Sequence, residues 1–339
     1  MRSVRARRAL VAALLLLGVT GCAAKNADSA PSDQASSAPA ATDAAEVAGE
    51  PGSGNTAEAQ LAAVSPPAGA KASTTAAAPP PPAVAPTQTF STATTSVTFS
   101  RSGRTLRTVI TYPKGAGRFP LVLWSHGLHG SPEGYAGVTQ KIAAAGFVVA
   151  APAYPGTNDK ANPFNQNDMA NQPADASAVI TEVLKLDGQA GSPLAGHLET
   201  SRVGAGGHSA GGYTTAGMLS GNTRDQRLKG AVVVAGGSLG GKLTGPSTPM
   251  LFIHGDADAT VPYASGQSLY SSCAWPKSFL TLLGGDHGAA LWGTTPAATA
   301  VTKTMLDFYR YTLYNDAAAK SRLRADATAP NAAKYDGTI

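Results

Sequence analysis

The stretch "GAGGHSAGGY", residues 204–213, places Ser209 between glycines, after a strand-like run and before an alanine-rich one. A serine on a sharp strand-to-helix turn exposes its hydroxyl, and Gly207 and Gly211 remove the side chains that would collide there. The free N–H groups at the start of the following helix also favour negative charge beside the serine. The pattern predicts a nucleophile. Because short glycine-serine motifs arise by chance in glycine-rich chains, the prediction depends on partners elsewhere in the sequence.

A hydroxyl becomes a nucleophile when a base, itself oriented by a third group, takes its proton. After the run "PMLFI" the sequence "HGDADATVPY" offers Asp256 and Asp258, and after "SFLTLL" the sequence "GGDHGAALWG" offers His287. Asp256 is alternatively a loop-shaping residue, since aspartates often bond to the backbone two residues on. Asp286 adjoins His287 and cannot easily reach around its ring. The order serine, acid, histidine, each just past a strand-like run, predicts acyl-transfer chemistry.

Acyl transfer also requires backbone N–H groups aimed at the oxygen that becomes negative in the tetrahedral intermediate. The amide of Ala210, directly after the serine, is one predicted donor. The loop "SHGLHG" after the run "LVLW" supplies the other, and Leu128 is the expected residue, with Gly127 allowing a tight turn before it. His126 and His129 of the same loop are weak metal-ligand candidates because no third ligand is in view. Neither a metal nor an organic cofactor is expected.

The elements that would position these residues alternate along the chain. Two runs of alternating polarity, residues 96–100 and 105–112, predict an antiparallel hairpin at the edge of a sheet. Continuous apolar runs of the kind expected for strands buried on both faces follow: they are "FPLVLWS", "FVVAAP", "RVGAGG", "GAVVVAG", "PMLFIH" and "SFLTLL". Helix-like stretches lie between them, near residues 134–145, 174–187, 209–220, 263–272 and 296–314. This order predicts an α/β fold whose mostly parallel central sheet carries helices on both faces, with ligands bound beyond the carboxyl ends of the strands.

The N-terminus is typical of an exported protein. "MRSVRARRALVAALLLLGVTGC" has four arginines and then an apolar run too short to span a bilayer, which takes about 20 residues. Its end, "VTGC", is similar to the bacterial lipobox, so residues 1–21 are expected to be a signal peptide and Cys22 a lipidated first residue. Ordinary cleavage near Ala23 or Ala24 is the alternative. A lipid on Cys22 would anchor the protein to the bacterial cell membrane, with its catalytic domain outside the cytoplasm.

Composition divides the rest of the chain. Residues 22–89 are rich in Ala, Pro, Ser and Thr with almost no large apolar side chains, so a disordered tether is expected. Residues 90–315 have the size of one α/β domain, and residues 316–339 follow as a C-terminal tail. Subtracting the four signal-peptide arginines from the 26 basic residues leaves 22 against 21 acidic ones. The resulting net charge of +1 gives no sign of nucleic-acid binding. With Cys22 acylated, Cys273 has no disulfide partner.

Four stretches together resemble one family: they are "SHGLHGSPEGYAGVTQKIAAAGFVVAAPAYPGTND", "QPADASAVI", "GGHSAGGY" and "HGDADATVPY". They are similar to bacterial predicted dienelactone hydrolases, relatives of platelet-activating-factor acetylhydrolases and of polyester-cleaving cutinase-like enzymes, over about residues 95–312. The resemblance implies the α/β-hydrolase fold, with Ser209 as nucleophile, His287 as base and the amides of Leu128 and Ala210 as oxyanion hole.

The same resemblance places the acid at Asp258, the first residue of "DATVP", and leaves Asp256 to brace the loop. Two departures limit the comparison. Dienelactone hydrolases proper use a cysteine nucleophile where this chain has Ser209. Acetylhydrolases of the plasma type carry their acid one strand earlier, after a run that ends here in "GAVVVAGGSLGG" without a carboxylate. An acid at Asp258 matches the cutinase-like and dienelactone branches.

These observations predict an exported serine hydrolase that acts as a monomer and cleaves carboxylic esters, small or polymeric, through an acyl-enzyme. Two alternatives remain. One is a peptidase or amidase acting on cell-wall material, which the exported location permits. The other is an inactive binding protein on the same fold, because a fold does not fix a function.

Overall fold

The computed structural model describes residues 84–339. The predictions for the signal peptide, for Cys22 and for most of the tether lie outside this range. The described part opens with a hairpin of β1 (Thr92–Arg101) and β2 (Arg104–Pro113), which pair antiparallel. Its two-residue turn has φ of 47° at Ser102 and 77° at Gly103, the backbone that right-twisted hairpins favour. The predicted edge hairpin is confirmed.

A parallel sheet follows the hairpin. Its strands are β3 (Phe119–Ser125), β4 (Val148–Pro152), β5 (Leu198–His208), β6 (Leu228–Val234), β7 (Met250–Gly255) and β8 (Lys277–Leu282). The order across the sheet is β1-β2-β4-β3-β5-β6-β7-β8, followed by one more strand at the far edge. Pairs from β4 through β8 are parallel. All six apolar runs of the sequence form these strands, because apolar side chains are needed on both faces of a covered sheet.

Helices cover both faces of the sheet. They are α1 (Ala136–Ala144), α2 (Gln172–Lys185), α3 (Ala210–Gly217), α4 (Tyr263–Ser272), α5 (Pro296–Tyr314) and α6 (Ala317–Ala327). One core contains buried side chains of α1, α5 and α6, and the other contains those of α2, α3 and α4. Neighbouring residues of β3 alternate between them, with Leu123 in one and Trp124 in the other. The α/β fold with helices on both faces is confirmed.

The C-terminal segment differs from the expected tail. Residues 316–339 contain α6 and a ninth strand, β9 (Ala333–Gly337), which pairs antiparallel with β8. Leu323 and Ala327 are fully buried. At the other end, Ala85 packs against the core, so ordered contacts begin before residue 90. The compact domain is therefore longer at both ends than the composition of the chain indicated.

The topology brings four loops to one edge of the sheet. They follow the carboxyl ends of β3, β5, β7 and β8, and in that order they carry Leu128, Ser209, Asp258 and His287. Such an edge is where open α/β sheets bind ligands. Within residues 84–339, no helix is both long enough and apolar enough to cross a bilayer.

Candidate active site

Ser209 lies at a strained corner. β5 ends at His208 and α3 begins at Ala210, so the chain reverses at the serine itself, with φ 58° and ψ −123°. Residues with a Cβ rarely adopt this backbone, and where they do the site is often functional. A Cβ on Gly207 would lie 2.4 Å from the carbonyl oxygen of Gly211. The predicted sharp strand-to-helix turn is present, and its glycines are there because backbone passes too close for a side chain.

Three side chains form one hydrogen-bonded chain. His287 Nδ1 lies 2.7 Å from Asp258 Oδ2, and His287 Nε2 lies 2.9 Å from Ser209 Oγ. Because a carboxylate only accepts, Nδ1 carries the proton in the neutral ring and donates it to Asp258. Nε2 is then left to accept from the Ser209 hydroxyl. The structure thus brings together the serine, histidine and aspartate that the sequence singled out, in an order suited to moving a proton from the hydroxyl to the ring.

Asp258 is held as a carboxylate. Its side chain is fully buried, and Oδ1 accepts from the amides of Thr260 at 2.8 Å and Val261 at 2.9 Å. Burial alone would raise the pKa of Asp258, but the hydrogen bonds from His287 and from these two amides outweigh it and the pKa is lowered. The negative charge that would stabilise a protonated His287 is therefore present throughout the neutral range.

His254, which the sequence analysis did not single out, also contacts this carboxylate. Its Nε2 lies 3.2 Å from Asp258 Oδ2 and 3.0 Å from the carbonyl oxygen of Val261, to which it donates. Burial lowers the pKa of His254 and outweighs the opposing effects of the Val261 carbonyl and Asp258. A neutral His254 thus contacts the same carboxylate oxygen as His287 and braces the acid. The sequence places His254 at the end of β7 but does not indicate which way its side chain points.

The other two aspartates near the site brace loops. Asp256 is exposed, and its Oδ1 accepts from the amide of Gly284 at 2.6 Å. Asp286 Oδ1 accepts from the amides of Ala289 at 2.9 Å and Gly288 at 3.2 Å. These bonds hold the loops after β7 and β8 through their backbone, which agrees with the loop-shaping alternative for Asp256. The carboxylate that pairs with His287 Nδ1 is that of Asp258.

The predicted oxyanion amides share a cavity with the serine. Leu128, Ser209 and Ala210 all line one cavity of about 540 Å³. Neither the Leu128 amide nor the Ala210 amide donates to any acceptor within residues 84–339. Both amides are thus free to donate to an oxygen in this cavity, as a tetrahedral oxyanion requires, and their role as oxyanion hole stays a prediction.

The loop after β3 turns tightly at Gly127, as expected, and the Gly130 amide donates to the Gly127 carbonyl at 3.0 Å. The left-handed residue of this turn is His129, with φ 55°. A Cβ on Gly127 would lie 3.1 Å from the Cβ of Ser209 and 3.2 Å from the hydroxyl of Tyr135. The glycine therefore permits close approach between this loop and the serine. His126 braces the loop as well, with Nδ1 donating to the Gly127 carbonyl at 2.7 Å and Nε2 accepting from the Tyr154 amide at 3.1 Å.

The rest of the cavity wall is uncharged. Its apolar and aromatic members are Met169, Tyr213, Leu239 and Val261, and its polar members are Gln166, Ser238 and Thr260. Among the described residues that line it there is no Lys, Arg, Asp or Glu. A wall of this kind suits a neutral ligand, with a few polar groups to orient it.

Comparison with known families identifies a family for this chain. The family model of the PETase family, described as PET hydrolase-like, matches residues 69–330. Comparison with curated proteins found no sequence match. The family match covers most of the chain, including every loop of the site, and agrees with the resemblance to polyester-cleaving, cutinase-like α/β-hydrolases. The chain belongs to the PET hydrolase-like family and is a carboxylic ester hydrolase of the α/β-hydrolase fold.

Proposed function

We propose that this hydrolase cleaves neutral carboxylic esters through a covalent acyl-enzyme on Ser209. His287 Nε2 takes the proton of the Ser209 hydroxyl as Oγ attacks the ester carbonyl carbon. The amides of Leu128 and Ala210 donate to the resulting oxyanion, and Asp258 stabilises the protonated His287 ring. Collapse of the tetrahedral intermediate breaks the bond to the alcohol oxygen, which receives the proton from His287.

The second half of the reaction repeats these steps with water. His287 takes a proton from a water molecule as its oxygen attacks the acyl carbon on Ser209. The new tetrahedral intermediate is held by the same two amides, and its collapse returns the proton to Ser209 Oγ and releases the carboxylic acid. The hydrogen-bonded chain of Ser209, His287 and Asp258 is the observation that carries this proposal.

The uncharged cavity supports a neutral ester as substrate. The family's description names PET hydrolysis, and a polyester chain is itself a neutral ester with repeated scissile bonds. We include polyesters in the proposed substrate class for this reason. A peptidase or amidase remains the alternative, since the same groups can attack an amide.

Replacement of Ser209 tests the proposal. The full chain should hydrolyse p-nitrophenyl acyl esters and react with a fluorophosphonate, and Ser209→Ala should lose about 10⁴-fold or more in turnover and fail to label. Ser201→Ala removes an exposed serine of β5 and is the matched control, with full activity and labelling expected. Hydrolysis by Ser209→Ala at the parent rate would reject Ser209 as nucleophile. Faster cleavage of peptides than of esters would favour the peptidase.

We also propose that the protein is exported and held at the cell membrane by a lipid on Cys22. The support is the sequence of residues 1–22, with its arginines, its short apolar run and its "VTGC" end. Cys22→Ala should abolish the diacylglyceryl modification and move the enzyme out of the membrane fraction, whereas Cys273→Ala, which alters a buried thiol, should leave fractionation unchanged. Mass spectrometry that finds an unmodified N-terminus beginning at Ala23 or Ala24 would contradict this.

A further inference from the structure

A second hydrogen-bonded chain runs behind the serine. The amide of Gly127 donates to the hydroxyl of Tyr135 at 3.1 Å, and this hydroxyl lies 2.8 Å from His208 Nδ1. On the other side of the same ring, His208 Nε2 is hydrogen-bonded to the backbone carbonyl oxygen of His287. Tyr135 and His208 thus connect the loop after β3 with the loop after β8.

The direction of every bond in this bridge is determined by chemistry. The carbonyl oxygen of His287 can only accept, so Nε2 of His208 carries a proton. Burial lowers the pKa of His208 to about 4, so the ring is neutral and its Nδ1 accepts from the Tyr135 hydroxyl. Burial also raises the pKa of Tyr135 to about 12, so this hydroxyl keeps its proton to donate. The bridge has one arrangement of protons at neutral pH.

Packing leaves little room for the bridge to shift. Tyr135 is 6% exposed, and the exposed ring of Trp292 lies over both partners, with centroid distances of 5.5 Å to Tyr135 and 5.7 Å to His208. A Cβ on Gly288 would lie 2.6 Å from His208 Nε2, so the loop after β8 meets the imidazole at backbone level. The two ends of the bridge are held at fixed separation by these contacts.

We propose that Tyr135 and His208 are positioning residues that set the Leu128 amide and the His287 ring at their working distances from Ser209. One end of the bridge holds the residue directly before Leu128, and the other holds the backbone of His287 itself. Both the predicted oxyanion donor and the predicted base are therefore located by one pair of side chains. This inference rests on the proposed function of Ser209, His287 and Leu128.

The expected signature is a loss of turnover with little change in substrate affinity. The hydrogen bonds of the bridge end on the backbone of the two loops, and the His208 ring also packs against the His287 ring, with centroids 4.7 Å apart. Displacement of reacting groups by about 1 Å can cost about 100-fold in rate. Tyr135→Phe keeps the ring and removes the hydroxyl that serves Gly127 and His208. We expect it to lower kcat by about 10- to 100-fold with KM within about twofold of the parent.

Tyr314→Phe is the matched control for Tyr135→Phe. Tyr314 is 7% exposed, belongs to the same core, and donates its hydroxyl to a backbone carbonyl, that of Gly146, in a part of the fold remote from the serine. Both variants of the full chain should show similar losses in Tm, but only Tyr135→Phe should lose kcat. If the two variants lower Tm alike and both keep the parental kcat, Tyr135 has only a structural role and the inference is wrong.

Two variants of His208 test the other half of the bridge. The amide nitrogen of a glutamine can take the place of Nε2 and donate to the His287 carbonyl, whereas leucine fills a similar volume and donates nothing. We expect His208→Gln to retain at least about tenfold more kcat than His208→Leu, at equal KM. Equal kcat for the two would overturn the role of His208. If Ser209→Ala hydrolyses esters as the parent does, the proposed function itself fails, which is a distinct result from a parent-like Tyr135→Phe beside an inactive Ser209→Ala.

Discussion

The two aspartates of the loop after β7 are two residues apart and have opposite surroundings. Asp258 is buried against His287 and accepts from two backbone amides, whereas Asp256 is exposed and accepts from the amide of Gly284. An amide in place of the Asp258 carboxylate offers His287 either a donor or a weaker acceptor. The His287 ring can then adopt the tautomer with its proton on Nε2, which cannot accept from Ser209. Loss of the exposed hydrogen bond between Asp256 and the Gly284 amide affects mainly the free energy of unfolding.

Exchange of each aspartate for asparagine is therefore expected to separate catalysis from stability. Asp258→Asn should lower kcat by about 10⁴-fold. Asp256→Asn should keep kcat near the parental value and lower the free energy of unfolding by about 1 kcal/mol, the scale of a lost turn or cap bond. Steady-state kinetics and urea unfolding of both variants decide the matter. An inactive Asp256→Asn beside an active Asp258→Asn would reverse the assignment.

Single residues could be predicted from the sequence where the chemistry requires a particular residue type at the end of a particular strand. A nucleophile needs a turn with glycines, and an acid and a histidine must follow neighbouring strands, so Ser209 and His287 could be selected from spacing. Spacing left both Asp256 and Asp258 as candidate acids, and the family resemblance favoured Asp258. The catalytic roles of Ser209, Asp258 and His287 remain predictions. Tyr135 and His208 could not be selected, because a hydrogen bond through a side-chain ring depends on packing that no spacing in the chain records.

The turn between β5 and α3 depends on glycine for a steric reason. A Cβ on Gly211 would lie 2.0 Å from the carbonyl oxygen of Ser125, and backbone cannot yield as a flexible side chain can. By contrast, Gly137 in α1 is exposed and has nothing within 4 Å of such a Cβ. The same substitution should therefore have opposite effects in the two helices.

Gly211→Ala is expected to lower the free energy of unfolding by more than about 3 kcal/mol, the range of severe overpacking, and to abolish ester hydrolysis in whatever fraction folds. Gly137→Ala should raise it by about 0.5–1 kcal/mol, since alanine loses less backbone entropy in a helix. Urea unfolding and p-nitrophenyl ester hydrolysis measure both. Wild-type stability of Gly211→Ala would show that β3 and α3 can separate, contrary to the close contact described above.

Elements with strong local signals were predictable, and elements that depend on a partner were not. The stretches 263–272 and 296–314 form α4 and α5 with these bounds. Pro296 opens α5 and the Thr295 side chain caps it, which are signals written in the sequence. β9 has only two buried side chains in five residues, so its extended form depends on pairing with β8 rather than on its own composition.

If α6 and β9 are part of the core, a cavity in α6 must destabilise the whole domain. Leu323 is fully buried, and Leu323→Ala is expected to lower the free energy of unfolding by about 2–5 kcal/mol. Ser321→Ala, on the exposed side of the same helix, should change it by no more than about 0.5 kcal/mol. A single cooperative urea transition is expected for both. A near-neutral Leu323→Ala would mean that the C-terminal segment is dispensable, as the composition of the chain first indicated.

Across the whole molecule, three buried histidines share one electrostatic condition. Burial is the largest cause of a lowered pKa at His126, His208 and His254, and it outweighs their carbonyl and carboxylate neighbours. The hydrogen bonds of these rings at the site also require particular protonation. His126 and His208 each accept on one unprotonated nitrogen, and His254 needs its proton on Nε2. The fold therefore keeps these rings neutral at pH values where the unfolded chain protonates them.

This difference predicts that stability falls as the pH is lowered from the ordinary histidine pKa of 6.5. Below about pH 6.5 the unfolded chain binds more protons than the folded one, so the free energy of unfolding rises with pH. The contribution of the three buried histidines to stability is complete only above about pH 6.5. Each such proton contributes about 1.4 kcal/mol per pH unit, and for His208 the decline continues until its folded pKa of about 4. Urea unfolding between about pH 7.5 and 5 should show the decline, with a shallower slope in His208→Gln and the parental slope in Ser201→Ala, which removes an exposed hydroxyl and no histidine. A parental slope in His208→Gln would mean that His208 does not resist protonation in the fold, and the single proton arrangement of its bridge would have to be abandoned.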